Sequence, residues 1–190
     1  MKRSLLAAFI IAILTVCVGY LHGADHDNWT SASDDIKMSW SFGRTYNYSD
    51  VLVTRAIDGD TLLLETGERV RLIGIDTPEL HQSSKLVRDA ERNKTSVSAI
   101  QQLGKRSYKF TKDLVEGKKV SLEFDVEKYD KYDRLLAYVY LNGEPKIFVN
   151  AEIVKQGYAS LMTIPPNVRY ADLFQKLYKE ARDNKRGLWQ

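Results

Sequence analysis

Three short apolar runs, separated by tight turns, lie in the first half of the 190-residue chain. Residues 51–57, 62–64 and 70–75 are rich in Val, Leu and Ile. The sequence Asp-Gly-Asp at 58–60 separates the first run from the second, and Gly-Glu at 67–68 separates the second from the third. Short β-type runs bounded by turn residues predict three strands joined as a meander.

The rest of the chain alternates helical and strand patterns. Spaced apolar residues predict a helix at 97–116, a short helix at 151–156 and a last helix at 170–185, and further strands are predicted at 120–124 and 135–141. Asn142-Gly143 after the fifth strand predicts a hairpin turn, because both residues tolerate positive φ. Five strands with three helices predict a mainly-β α+β domain, and a small closed or partly closed barrel of the OB type is one of several folds that this pattern allows.

The N-terminus has the pattern of a targeting segment. Lys2 and Arg3 precede an uncharged apolar run at 5–21. A basic start followed by such a run is typical of a secretory signal peptide, and the run is also long enough for an uncleaved membrane anchor. We therefore expect a signal peptide or anchor at 1–23, a polar linker or arm at 24–48 and one domain at 49–190. The expected location is extracytoplasmic, either secreted or membrane-anchored.

Cysteine and charge add two limits. Cys17 lies in the targeting segment and is the single cysteine of the chain, so a processed protein would have no disulfide. The net charge of +3 is too small to indicate a polyanionic partner by itself. Residues 85–119 hold ten Lys and Arg against four Asp and Glu. This excess fits either attraction of a phosphate backbone or a solvated helix face.

Acidic residues and arginines are concentrated in three clusters, at 58–61, 71–79 and 130–138. Asp60, Asp76 and Glu79, with the backbone carbonyl of Thr77, offer the oxygen ligands that Ca²⁺ accepts. Arginine forks bind phosphate oxygens in pairs, so two arginines from separate clusters fit a phosphate clamp. Each cluster alone also has an ordinary interpretation, as a turn, a surface ion pair or a helix N-cap. The three histidines are too scattered for a zinc site.

Together, in this order and spacing, these motifs closely resemble the staphylococcal nuclease family. The resemblance covers about residues 50–189. It includes Asp-Gly-Asp-Thr at 58–61, Arg71 followed by Thr-Pro-Glu at 77–79, and Asp-Lys-Tyr at 130–132 before Arg134. It continues through Val-Asn-Ala-Glu at 149–152, Gln-Gly-Tyr-Ala at 156–159 and Gly-Leu-Trp at 187–189.

The resemblance implies a five-stranded OB-fold barrel with three helices and a Ca²⁺-dependent nuclease. The family's functional positions map onto calcium ligands Asp60, Asp76 and Thr77, outer-shell Asp58, catalytic Arg71, Glu79 and Arg134, and substrate-binding Lys131 and Tyr132. By the same resemblance, Glu79 positions or deprotonates the attacking water and the two arginines hold the scissile phosphate. DNA and RNA would be cut at the 5′ P–O bond with little sequence specificity, leaving 3′-phosphorylated products, by a protein expected to be a monomer.

Three departures from the family pattern bear on substrate binding. Asp133 stands where the family commonly has Gly. Residues 80–96 form a longer connection than in the prototype and are predicted to be a mobile loop, and residues 161–166 lack the prototype's tyrosines. The alternative function is a non-catalytic nucleic-acid-binding module of the same fold. Another alternative keeps the nuclease chemistry but tethers the protein to the membrane through residues 5–21.

Overall fold

A computed structural model describes residues 47–81, 83–92 and 94–190. The strands are β1 (Val51–Ala56), β2 (Thr61–Leu64), β3 (Arg69–Leu72), β4 (Gly74–Asp76), β5 (Lys119–Glu123), β6 (Leu135–Leu141), β7 (Ile147–Phe148) and β8 (Ser160–Met162). The helices are α1 (Ser84–Arg92), α2 (Val97–Val115), α3 (Val149–Lys155) and α4 (Ala171–Asp183), followed by a 3₁₀ turn at Gly187–Trp189.

Five strands close into a barrel. The sheet order is β3-β2-β1-β5-β6-β7, and β3 also pairs with β6. Neighbouring pairs are antiparallel, whereas β3 and β6 are parallel, with Val70 opposite Leu135 and Leu72 opposite Ala137. This last pairing closes the ring of β1, β2, β3, β5 and β6. The predicted five-stranded OB-type barrel is confirmed.

The barrel interior is filled by one face of each strand. Strand side chains point alternately to the two faces of a sheet, and in β1 the inward face carries Val51 and Val53, which are buried. Val115 at the end of α2 and Ile153 of α3 are fully buried against the same core. The helices therefore cover the barrel and position the loops that leave it.

The third predicted strand, at 70–75, is divided. β3 ends at Leu72 and β4 begins at Gly74, which has a φ of +83°. A Cβ at this position would collide with the ring of Phe174, so glycine allows α4 to approach the backbone here. β4 then leaves the barrel and pairs antiparallel with β8, placing Asp76 opposite Ser160. The prediction of one continuous strand was wrong.

The predicted mobile loop at 80–96 contains helix α1. Leu86 and Ala90 of α1 are buried and pack against Ile100 of α2 in a small separate cluster. The described residues therefore contain four α-helices, one more than predicted. The hairpin at Asn142-Gly143 is present, since β6 turns back into β7 with Leu141 opposite Ile147.

The predicted signal peptide or anchor and nearly all of the predicted arm lie outside the described residues. Within the part of the chain that the structure describes, no helix is both long and apolar enough to cross a membrane. The domain limits and the targeting segment stay predictions.

Candidate active site

A cavity of about 660 Å³ opens where the β1–β2 turn, the end of β4 and the segment before β6 meet. Eight of the nine predicted site residues line it, namely Asp58, Asp60, Arg71, Asp76, Glu79, Lys131, Tyr132 and Arg134. The ninth, Thr77, is buried, and its backbone N donates a hydrogen bond to Asp60. The fold thus brings the three sequence clusters to one place, while the role of each residue stays a prediction.

Asp60 is held rigidly at the start of β2. Its Oδ2 accepts hydrogen bonds from the backbone N of Thr77 at 2.8 Å and from Thr77 Oγ1 at 3.0 Å. Its Oδ1 accepts one from Thr61 Oγ1 at 3.1 Å. Gly59 permits this contact, because a Cβ there would lie 2.7 Å from Thr77 Oγ1. The Asp-Gly-Asp turn is therefore shaped to bring Asp60 against Thr77.

Arg71 places its guanidinium between two carboxylates. Nη2 donates to Asp76 Oδ1 at 3.0 Å, and Nη1 forms an ion pair with Asp60 Oδ1. Burial would lower the pKa of Arg71, but the charges of Asp60 and Asp76 raise it above its usual value. Arg71 is therefore a fixed cation at the base of the cavity.

The carboxyls around Arg71 carry more negative charge than it neutralises. Burial, followed by the neighbouring charge of Asp60, raises the pKa of Asp58 to about 7. Burial opposes ionisation of Asp60 as well, but the charge of Arg71 and the hydrogen bonds from Thr77 keep the pKa of Asp60 below its usual value. Asp58, Asp60 and Asp76 thus face one guanidinium, and the site has a surplus of anionic oxygen.

This donor chemistry fits a hard divalent cation. Ca²⁺ is bound by carboxylates, backbone carbonyls and waters in flexible numbers, and Asp60, Asp76 and the Thr77 carbonyl are donors of this kind. Among the described residues, no set of three or more His, Cys, Asp or Glu side chains is arranged to hold a metal ion. The candidate set accordingly relies on two carboxylates and a carbonyl, with Asp58 outside them.

Arg134 lines the cavity from the segment before β6 and is oriented by Asp130. The Asp130 carboxylate accepts from Arg134 Nε at 2.7 Å and contacts Nη2 at 2.7 Å. It also accepts from the backbone N of Tyr132 at 2.8 Å and of Arg134 at 3.0 Å, which closes the turn. Burial would raise the pKa of Asp130, but these hydrogen bonds lower it. Asp130 was part of the sequence motif, but its role in orienting Arg134 was not predicted.

Asp133 occupies the same turn in a left-handed conformation, with a φ of +58°. Glycine adopts this conformation without steric cost, and Asp is among the few other residues that tolerate it. The departure from Gly noted in the sequence is therefore accommodated by the backbone. The Asp133 side chain is exposed.

Glu79 is positioned through a close contact between backbones. A Cβ at Gly104 of α2 would lie 2.5 Å from the carbonyl oxygen of Glu79 and 2.8 Å from that of Pro78. Thr111, two turns further along α2, donates to the Gly59 carbonyl at 2.7 Å. Helix α2 thus supports both acidic turns. A glycine in the middle of a helical pattern is the signal that indicates such a contact in the sequence.

The remaining wall contains residues that the motifs did not indicate. Tyr129 and Ile164 line the cavity and are exposed by 51% and 62%. Asn167 joins this wall to the segment before β6, because its side chain accepts from the Glu127 backbone N at 2.8 Å and donates to the Glu127 carbonyl at 2.9 Å. Ile164, in the segment 161–166 that lacks tyrosines, therefore lines the same cavity as the exposed Tyr129.

Comparison with known proteins places this site in a family context. Residues 69–190 match the sequence model described as Staphylococcal nuclease homologue. The chain is 33% identical over its full length to a thermonuclease of Staphylococcus intermedius, covering 99% of that protein. It is 29% identical over its full length to endonuclease YncB of Bacillus subtilis, covering 92% of it. It is 37% identical to the SPbeta prophage-derived endonuclease YokF of Bacillus subtilis over 74% of this chain and 44% of that protein.

Proposed function

Because the chain belongs to the family of staphylococcal nuclease homologues, we propose that it is an endonuclease that hydrolyses phosphodiester bonds of DNA and RNA. The observation that carries the proposal is the convergence of Arg71, Arg134 and Glu79 on one cavity that also holds the surplus of carboxylates. Three of its relatives are named as a thermonuclease or endonucleases. We extend the proposal to Ca²⁺ dependence and to cleavage of the 5′ P–O bond.

Two arginines are suited to binding the phosphate on which hydrolysis takes place. Arg71 is fixed by Asp60 and Asp76, and Arg134 by Asp130, so neither guanidinium has to reorganise when the substrate arrives. Preorganised cations aimed at developing negative charge stabilise a transition state more than a ground state. A cation held by Asp60, Asp76 and the Thr77 carbonyl would add Lewis-acid polarisation of a phosphoryl oxygen.

Glu79 is the candidate base. Water attacks phosphorus, its proton passes to the Glu79 carboxylate, and the bond from phosphorus to the 5′ oxygen breaks. The 5′ oxygen takes a proton from solvent and Glu79 returns its proton to solvent, which gives a 5′-hydroxyl and a 3′-phosphate. A positioned general base contributes about 10²–10⁴-fold to such a step. Loss of Glu79 is therefore expected to reduce kcat more than substrate affinity.

The test is hydrolysis of single-stranded DNA by the full chain, with Ca²⁺ and with chelator, by wild type, Glu79→Gln and Arg134→Ala. We expect Ca²⁺-dependent cleavage, with kcat lower by about 10²-fold or more in Glu79→Gln. Glu144→Gln and Arg55→Ala are matched controls, because both side chains are exposed and lie away from the cavity lining. Wild type that folds and binds DNA without cutting it would support the non-catalytic binding module instead.

A further inference from the structure

A second cavity, of about 440 Å³, lies beside β5 and β6. Its lining includes the aromatic side chains of Tyr48, Phe124 and Tyr140 together with Lys146. Glu123 also lines it. The mechanism proposed above uses none of these groups.

The acidic group of this second cavity is already compensated. The Glu123 carboxylate accepts a hydrogen bond from Tyr140 Oη at 2.8 Å and from Tyr170 Oη at 3.1 Å. It also forms an ion pair with Arg169. The charge that Glu123 presents to the cavity is therefore offset, whereas Lys146 is exposed and contributes positive charge.

Lys128 connects the second cavity to the first. Its Nζ lies 4.6 Å from the ring centroid of Phe124 and 5.0 Å from that of Tyr48, both in the second cavity. The same Nζ lies 5.5 Å from the ring centroid of Tyr129, which lines the active-site cavity. One ammonium group thus contacts the walls of both cavities.

Lysines and aromatic rings continue in both directions from Lys128. In the active-site cavity Lys131 Nζ lies 5.0 Å from the Tyr132 ring centroid, and in the second cavity Lys146 Nζ lies 5.1 Å from that of Tyr140. Single-strand binding sites combine cations for the backbone with aromatic faces on which bases stack. The path from Tyr132 through Tyr129 and Lys128 to Tyr140 has both elements.

We propose that the second cavity, with Lys128 and Tyr129, extends the substrate groove and binds the part of a single-stranded nucleic acid that flanks the bond to be cut. The proposal rests on the nuclease function proposed above. A cavity of several hundred Å³ accommodates a ligand of about drug size, whereas an OB fold contacts about 4–16 nucleotides of a single strand. Lys128 and Lys146 would exchange their ring contacts for phosphates and leave the aromatic faces to the bases.

The consequence is a preference for long substrates that depends on residues remote from the reacting phosphate. The measurement is kcat/KM of the full chain on a trinucleotide and on a single strand of about 16 nucleotides; the ratio of the two is the length preference. In a Lys128→Ala, Lys146→Ala double variant we expect the length preference to fall about tenfold, the size of effect that one or two lost stacking or phosphate contacts give.

A second readout separates direct phosphate contact from an indirect structural effect. For single strands, log affinity falls with log salt by about 0.7 for each neutralised phosphate. Anisotropy titrations of the long strand should therefore show a salt slope that is smaller by about 0.7 in Lys128→Ala and restored in Lys128→Arg. Lys179→Ala is the matched control, since this α4 lysine is 76% exposed and lies outside both cavity linings; we expect its length preference and salt slope to be those of wild type.

The outcomes distinguish this proposal from the nuclease function. Wild type that cuts both substrates, with an unchanged length preference and salt slope in the lysine variants, would overturn the extended groove and leave the nuclease intact. Wild type that binds the long strand without cutting it would remove the nuclease function, and the salt slopes would still decide whether Lys128 contacts the strand. Wild type that neither cuts nor binds would overturn both.

Discussion

Asp130 holds the guanidinium of Arg134 at two nitrogens, Nε and Nη2, each at 2.7 Å from Oδ2. The other oxygen of the same carboxylate closes the turn through two backbone N–H groups. One side chain therefore fixes both the loop and the arginine that the loop carries. The orientation of Arg134 therefore depends on the conformation of the turn.

We predict that Asp130→Asn lowers kcat/KM for single-stranded DNA by about tenfold to a hundredfold, the range that a misplacement of about 1 Å produces. Asparagine keeps an acceptor for the turn but loses the charged two-point contact with Arg134. Steady-state kinetics provide the measurement. Asp113→Asn is the control, because it removes an exposed i,i+4 ion pair with Lys109 and should leave kcat/KM unchanged. Equal kinetics for the two variants would show that Asp130 does not orient Arg134.

We predict that Gly104→Ala destabilises the domain and impairs catalysis together. The new methyl group would meet the carbonyl oxygens of Pro78 and Glu79, so α2 or the Glu79 segment has to move. Overpacking of this kind costs about 1–3 kcal/mol. Urea denaturation gives the free energy of unfolding, and kcat reports the displacement of Glu79. Gln102→Ala, an exposed position on the same helix, should change stability by less than about 0.5 kcal/mol.

We predict that the Asp133→Gly variant has a larger free energy of unfolding than the Asp133→Ala variant, by about 1 kcal/mol, because the backbone at position 133 has a φ of +58°. The stability of wild type should be closer to that of the Gly variant than to that of the Ala variant, since the short polar side chain of Asp tolerates the left-handed region. The measurement is urea denaturation of wild type, Asp133→Gly and Asp133→Ala. An Ala variant as stable as the Gly variant would mean that the turn can change its conformation at little cost.

The acid sensitivity of the fold is predicted to depend on Arg169. Burial would raise the pKa of Glu123 and Asp125, but hydrogen bonds from Tyr140 to Glu123 and from the Arg169 backbone to Asp125, with the Arg169 charge, lower both below their usual values. Carboxyls with a lowered folded-state pKa stabilise the protein above their unfolded pKa of about 4, and this contribution is lost as pH falls through the folded value.

We therefore expect Arg169→Gln to be less stable than wild type at pH 7, and the loss to be small because the Arg169 side chain is 47% exposed and its ion pairs are screened by solvent. The difference should shrink as pH falls from about 4 through the lowered folded-state pKa values of Glu123 and Asp125, below which both proteins carry neutral carboxyls. Thermal unfolding across this pH range provides the measurement. A constant difference at every pH would assign the effect of Arg169 to packing instead of charge.

The barrel strands could be predicted because their patterns are local. In residues 51–57 and 135–141 the apolar side chains alternate with polar ones or follow one another, and turn residues flank each run. Both segments are strands near the expected positions. The division at Ile73 had no such signal, because it depends on Phe174 of a distant helix packing against Gly74. The same holds for β8, whose pairing with β4 is a tertiary contact.

Helix α1 was missed for a different reason. Its nine residues carry many charges, and its buried apolar contacts are made by Leu86 and Ala90 against Ile100. The segment is short and strongly polar, so its composition resembles that of a loop even though Leu86 and Ala90 recur at helical spacing. Its helical state follows from docking onto α2.

The site was predictable where a motif kept its order in the sequence, and not where a residue acts through space. Arg71 and Glu79 follow from the motif, and the structure brings them to one cavity. Tyr129 and Lys128 belong to no motif, and their position between two cavities depends on how β5 and β6 are arranged. Proximity of this kind requires the fold.

The parallel pairing of β3 with β6 has a consequence for how such a protein can diversify. It sets Arg71 opposite Leu136, two residues beyond Arg134. A one-residue slip would turn the side chain of Arg71 to the other face of the sheet, so the spacing of the two arginines is tied to the integrity of the barrel. Loops around the cavity can lengthen, gain a helix such as α1 or exchange their aromatic residues without altering that spacing. Substrate preference can therefore evolve in the loops while the chemistry is inherited with the sheet.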